Sequence, residues 1–266
     1  MDNRPIGVFD SGLGGLTAVR ALCELLPEEN IIYFADSGRV PYGGRPAEQL
    51  RRMAVQDLDF VSSFDAKAII AACGTISSTA PDILKCWRVP AFGVLESPVR
   101  RIGRMAGSGP VGVIATEASI RSGSFACALR SACPGREILP VACPDFVPLI
   151  ESGRCSAEDP LVQKAVETYL RPLKEKGVSV LLLGCTHYGL IAGAIRRFMG
   201  EGTVLVEASR CAAEDIRDYL EANGLLGSGG SRRYFTSGGR EEFSALASAL
   251  LETGDIRAES VPIMEV

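Results

Sequence analysis

The chain has a single histidine, His187, and no two of its cysteines stand in CxxC spacing, so none of the usual zinc ligand sets can be assembled from it. No run of about 18 apolar residues occurs, which excludes a membrane-spanning helix. The opening MDNRPIGVFDS enters a strand without a signal-peptide pattern. The expectation is a cytoplasmic protein with no membrane partner. Blocks of positive charge are missing too: Arg51-Arg52, Arg100-Arg101, Arg196-Arg197 and Arg232-Arg233 are dispersed doublets in a chain of net charge −4, and a nucleic-acid-binding role has no support. Short-period repeats and low-complexity tracts are absent, LGSGGS (226–231) being the one linker-like piece.

What is present is a soluble globular composition, 47% hydrophobic and 23% charged over 266 residues, enough for one large core or two modest ones. The nine cysteines are scattered without framework spacing, so free thiols are expected. Two of them share an address. VSVLLLGCTHYGL (178–190) reads as a buried parallel strand that ends in Cys185, Thr186 and His187, and AKAIIAACGT (66–75) as another that ends in Cys73 and Thr75. In open α/β sheets ligands sit at the carboxyl ends of strands. Either pair could be a buried thiol beside a core side chain, but two such strand ends favour a site.

The segments upstream echo each other, PIGVFDS (5–11) against PVGVIAT (110–116). Gly7 precedes Cys73 by 66 positions and Gly112 precedes Cys185 by 73. The spacing implies an internal duplication, hence two cores rather than one. Two pseudo-symmetric open α/β domains, mainly parallel sheets flanked by helices, would then face each other with the active site in the cleft between them and Cys73 and Cys185 on opposite walls.

Along the chain, strands are expected at 6–9, 30–35, 68–72, 89–95, 111–115, 138–142, 178–183, 204–209 and 233–236. Helices are expected at 17–26, 47–64, 76–84, 157–176, 190–199, 212–222 and 241–251. Glu96-Ser97-Pro98 reads as the crossing into the second half. The glycines at 12, 14 and 15 do not make GxGxxG, so the turn 10–17 is a weak signal for a nucleotide; its N–H groups suit an anion such as a carboxylate. Asp10 reads as a turn residue or as a proton acceptor beside a thiol. The stripe on 47–64, Asp57 included, reads as packing alone. The helix after Cys73 is expected to favour its thiolate. Thr116 and Ser119 suit helix capping and ligand binding equally, and Glu151 is either an exposed acid or a partner for His187.

Two opposed thiols suit an amino acid held between two bases: one takes the Cα proton from one face, the other returns a proton to the opposite face, and the stereocentre inverts. A redox disulfide would instead bring the sulfurs into contact.

DSGLGGLT (10–17), YFADSGRVPYG (33–43), AACGT (71–75), ACPDFVPLIESG (142–153), LLGCTHYGL (182–190) and YFTSGG (234–239) resemble, in order and spacing, the glutamate racemases of bacterial cell-wall synthesis. The resemblance covers practically the whole chain. It implies a small-molecule substrate, glutamate, a cofactor-independent and metal-free proton transfer, and D-glutamate for peptidoglycan. It implies that Cys73 acts on the D-isomer with Asp10 nearby, and Cys185 on the L-isomer with Glu151 and His187. Substrate contacts carry over to Ser11, Pro41, Tyr42, Gly43, Gly74, Thr75, Thr116, Ser119, Thr186 and His187. The implied domains are 1–97 with 208–266, and 98–207; members of the family often dimerise, so a homodimer is the expected assembly. Two positions depart from the family pattern, Gly74 where Asn is usual and Gly189 where Pro is common. Gly74 keeps an aspartate racemase in view as an alternative, and a silent amino-acid binder is the alternative from another class.

Overall fold

The computed structural model describes residues 1–251 and 255–262. The first half of the chain runs β1 (Ile6–Asp10), α1 (Leu16–Leu25), β2 (Ile31–Ala35), α2 (Ala47–Ser62), β3 (Ala68–Ala71), α3 (Gly74–Thr79), α4 (Pro81–Lys85), β4 (Ala91–Gly93) and α5 (Glu96–Gly103). The second runs β5 (Val111–Ala115), α6 (Glu117–Ser122), α7 (Ser124–Ala132), β6 (Ile138–Ala142), α8 (Phe146–Glu151), α9 (Pro160–Glu175), β7 (Val180–Leu183), α10 (Ala192–Met199), β8 (Val204–Glu207) and α11 (Ala208–Ala222). β9 (Arg232–Thr236), α12 (Arg240–Leu251) and β10 (Ala258–Ser260) close the described chain.

Two parallel sheets form, ordered β10-β9-β2-β1-β3-β4 and β6-β5-β7-β8. The order β2-β1-β3-β4 of the first recurs as β6-β5-β7-β8 in the second, and Gly7 pairs with Ile69 as Gly112 pairs with Leu181. Every residue of β1, β2, β3, β5 and β7 is buried, as near-continuous apolar strands require when helices cover both faces.

The packing differs from the two cores expected. One apolar cluster joins the sheets: Val8 and Ile70 on the first sheet pack through Val19, Ile102, Leu129 and Ile216 of α1, α5, α7 and α11 onto Val113 and Leu182 of the second. Separate clusters cover the outer faces, one under α2 and one under α9 and α10.

Several boundaries differ for local reasons. Glu96-Ser97-Pro98, at the crossing into the second half, is the first turn of α5, the helix that leads from β4 of one sheet to β5 of the other, and Pro98 sits where a helix has no N–H partner to lose. The expected domain cut at 97/98 therefore falls inside a helix, whereas that at 207/208 falls at the junction of β8 and α11; positions 263–266, with 252–254, lie outside the described residues. Pro81 divides the helix expected at 76–84 into α3 and α4, starting a new first turn. A 3-10 turn, Thr186–Ile191, precedes α10, and α11 begins at Ala208 directly after β8. The short, polar edge strand β10 carries no apolar signal.

At the amino ends of the first sheet, remote from the strand ends that carry the thiols, a buried ion pair ties four segments. Lys67 Nζ lies 2.6 Å from Glu29 Oε2 and donates to Asp2 O at 2.6 Å and Leu225 O at 2.7 Å. Glu29 Oε1 accepts from Gly227 N at 2.7 Å. Removing one partner of such a pair strands the other without water. Lys67→Met should lower stability by about 3–5 kcal/mol in urea denaturation; a loss below about 1 kcal/mol, the range of an exposed pair, contradicts this account.

Candidate active site

The carboxyl ends of β1, β2 and β3 face those of β5, β6 and β7 across a cavity of about 630 Å³. Every residue named from the sequence for this site lies on its wall. Asp10 ends β1 and Ser11 follows it, Pro41, Tyr42 and Gly43 belong to the loop after β2, and Cys73, Gly74 and Thr75 follow β3. Opposite them stand Thr116 and Ser119 after β5, Glu151 at the end of α8, and Cys185, Thr186 and His187 after β7. Both cysteines are free thiols.

On the first wall Asp10 is 1% exposed and accepts from Gly15 N at 2.8 Å and Gly12 N at 3.3 Å. The carboxylate that the N–H groups of the glycine turn hold is thus the chain's own Asp10. Burial raises the Asp10 pKa, against the opposing pull of His187 and of the turn. Tyr33 OH braces the turn by donating to Gly12 O at 2.5 Å. The Cys73 thiol donates to Ser11 Oγ at 3.7 Å. Burial, and then the charge of Asp10, push this thiol up to about 12, outweighing the N–H groups of Ile76 and Thr75. The N–H groups at the start of α3 do favour the thiolate, as expected, but the sulfur is dry and faces an anion, and desolvation exceeds what one helical turn returns.

Tyr42 is fixed from behind. Its hydroxyl bonds the carboxylates of Asp36 and, at 3.0 Å, Asp57. Arg39 reaches Asp36 at 2.5 Å and Asp57 at 2.8 Å, all three buried. Asp57, read from sequence as part of a packing stripe, is therefore an anchor for the cavity-facing loop.

On the second wall Cys185 Sγ lies 3.7 Å from His187 Nδ1. Glu151 Oε1 approaches Nε2 to 3.3 Å, within ion-pair distance though misaligned for a hydrogen bond. Burial alone would lower the imidazole pKa, but the contacts with Cys185 and Glu151 and the charge of Asp10 prevail and raise it to about 10. Thr116 caps α6, its Oγ1 accepting from Ser119 N at 3.3 Å and donating to Ser119 Oγ at 3.0 Å. Thr116 thus caps the helix and lines the cavity at once, while Ser119 lines it.

The walls meet at Gly14. A Cβ there would lie 2.3 Å from Thr186 Oγ1 and 2.4 Å from His187 Nδ1, closer than any real contact. Thr17 Oγ1 lies 3.1 Å from Thr186 O and 2.7 Å from Ser209 Oγ, extending the joint into α11. At Gly74 a Cβ would press on the backbone oxygen of Gly184 on the opposite wall at 3.2 Å, tighter than an ordinary contact. Cys143, Glu117 and Arg121 also line the cavity and were not singled out from sequence; Cys143, directly after β6, carries the same strand-end signal as the other two cysteines.

Comparison with known proteins agrees with this geometry. Residues 15–216 match the family Asp/Glu/Hydantoin racemase. The chain is 39% identical over 253 residues, 94% of each protein, to glutamate racemase 2 of Caldanaerobacter subterraneus subsp. tengcongensis. Among solved structures it superposes on a glutamate racemase of Bacillus anthracis with a TM-score of 0.89 at 29% identity, covering 99% of both chains. It superposes on the glutamate racemase of Francisella tularensis in complex with D-glutamate with a TM-score of 0.85 at 34% identity, covering 100% of this chain and 98% of that one.

Two outcomes follow from the geometry. Gly14→Ala should destabilise the protein by about 1–3 kcal/mol, as overpacking does, and a variant as stable as the wild type would contradict the contact. His187 titrates near 6.5 when unfolded and near 10 when folded, so its charge contributes stability fully below pH 6.5 and loses that contribution as pH rises to 10. The melting-temperature gap between wild type and His187→Asn should narrow over that interval; a gap that widens contradicts the assignment.

Proposed function

The chain belongs to the glutamate racemases of the Asp/Glu/hydantoin racemase family, and on that premise we propose that its cleft interconverts L- and D-glutamate by passing protons at Cα through Cys73 and Cys185. It is an isomerase, and its role in peptidoglycan synthesis follows from the family. The observation that carries the residue assignment is the pair of free thiols at matched strand ends on opposite walls of one cavity.

With L-glutamate bound, the Cys185 thiolate takes the Cα proton: the C–H bond breaks, an S–H bond forms, and the electron pair is left on Cα and its carboxylate. The Cys73 thiol then delivers its proton to the opposite face, breaking S–H and forming the new C–H bond. The product is D-glutamate, with Cys73 now the thiolate and Cys185 the thiol, which is the state from which the reverse reaction starts. His187, held charged with Glu151 near it, supports the anion on Cys185. Asp10 serves the opposite sulfur. Its neighbouring charge makes the Cys73 thiol a reluctant acid at rest and a strong base once ionised. Ser11, Pro41, Tyr42, Gly43, Gly74 and Thr75 hold the substrate from one half, residues 1–97 with 208–266, and Thr116, Ser119, Thr186 and His187 from the other, 98–207. With no side chain at Gly74, backbone or water takes that contact. A cytoplasmic setting and a homodimer are proposed on the family's account.

The test is incubation with L-glutamate in D₂O without added cofactor, following optical rotation and the Cα proton signal. Rotation should decay to zero with deuterium uptake, and Cys73→Ala or Cys185→Ala should each slow racemisation by about 10²-fold or more. No exchange with either isomer of glutamate, or exchange with aspartate alone, contradicts the assigned substrate; racemisation that survives either substitution contradicts the two-thiol mechanism.

A further inference from the structure

A second cavity of about 360 Å³ opens beside the catalytic one, where the loop around Gly44 faces α6, and shares Gly44, Thr75, Ala118, Ser119 and Arg121 with it. The two differ in charge. The inner cavity carries three carboxylates, Asp10, Glu117 and Glu151, against two cations, Arg121 and the His187 imidazolium. The outer one is lined by Arg45 and Arg121 among serine and threonine hydroxyls, with no acidic residue. Arg45 is fixed, its Nε donating to Pro41 O at 3.0 Å and its Nη2 to Arg39 O at 2.8 Å, on the loop that carries Tyr42. Arg121, in the last turn of α6, is exposed to solvent, and no carboxylate among the described residues lies within ion-pair distance of it.

A dicarboxylic amino acid carries net negative charge and must enter a cavity whose own carboxylates repel it. We propose that the outer groove is an entry vestibule for dicarboxylic amino-acid anions, in which Arg121 attracts a substrate carboxylate and passes it over Thr75 and Ser119 into the cleft. The inference rests on the proposed reaction for its ligand, but its evidence is the change in charge between two connected cavities. Charges placed at a cleft mouth raise local substrate concentration and the rate of encounter, and salt screens them over about 10 Å at 0.1 M. Arg121 touches no reacting atom in this account, so its removal changes capture and leaves turnover alone.

The test compares wild type with Arg121→Gln, Arg121→Glu and Arg121→Lys, measuring kcat/KM and kcat for L-glutamate and, by calorimetry, its affinity, at low and high salt. At low salt kcat/KM should fall about fivefold in Arg121→Gln and about tenfold or more in Arg121→Glu, with kcat within about twofold of wild type. Arg121→Lys should stay near wild type, and the differences should close toward 0.5 M salt, about where screening is complete. A kcat/KM for Arg121→Glu within about twofold of wild type at low salt, or a loss that salt does not change, overturns the vestibule. Wild-type protein that binds L-glutamate without exchanging its Cα proton refutes the proposed reaction alone, and the Arg121→Glu affinity still decides the vestibule. Wild-type protein that does not bind it refutes the vestibule's ligand and with it the inference.

Discussion

At Gly14 the backbone of one wall lies so close to Thr186 and His187 of the other that a single methyl group could not be inserted. Much of the site follows from that approach. The turn that contains Gly14 is curled around the Asp10 carboxylate, which its own N–H groups bind, so the contact that joins the walls also brings a buried acid within electrostatic reach of the imidazole. Thr17 and Ser209 continue the joint into α1 and α11, and those two helices belong to the apolar cluster shared by both sheets. A close-packed core transmits displacement instead of absorbing it, so the spacing of the walls is set by the same contacts that hold the halves together.

The duplicated backbone presents two thiols alike, and the side chains around them then break the symmetry. Asp10 ends β1, where the matching position at the end of β5 is Ala115; Thr75 stands two residues after Cys73, where His187 stands two residues after Cys185. One sulfur therefore sits in a dry wall next to a carboxylate and holds its proton up to about 12. The other is half-buried beside an imidazole that stays charged up to about 10. The duplicated strand ends thus place their two thiols in unlike surroundings, a buried carboxylate beside Cys73 and an imidazolium beside Cys185.

The strand ends that carry Cys73 and Cys185 were legible because buried parallel strands are continuous apolar runs and reactive residues follow them directly. The common order of the two sheets was legible in the echo of PIGVFDS by PVGVIAT. Charge states were not. The high proton affinity of Cys73 comes from desolvation and from Asp10, 63 positions earlier in the chain, and local sequence spoke only of a helix N-terminus. The buried Asp57–Arg39 pair was hidden for a similar reason: in an amphipathic stripe a carboxylate gives no sign of a cation held on a loop outside the helix. α5 was not expected because it is short and carries a proline, while at the third position of a helix proline removes no bond. The shared core escaped notice because amphipathic spacing shows that a helix has a buried face and not which sheet covers it.

The most direct test of this account uses the chain's only histidine. In protein labelled with ¹⁵N-histidine, the imidazole signals belong to His187 alone, and their shifts report its protonation through a pH titration. The account predicts an imidazolium at neutral pH that loses its proton near pH 10. A midpoint at or below the ordinary value of about 6.5 would mean that burial outweighs Cys185, Glu151 and Asp10, and that no standing positive charge supports the second thiol.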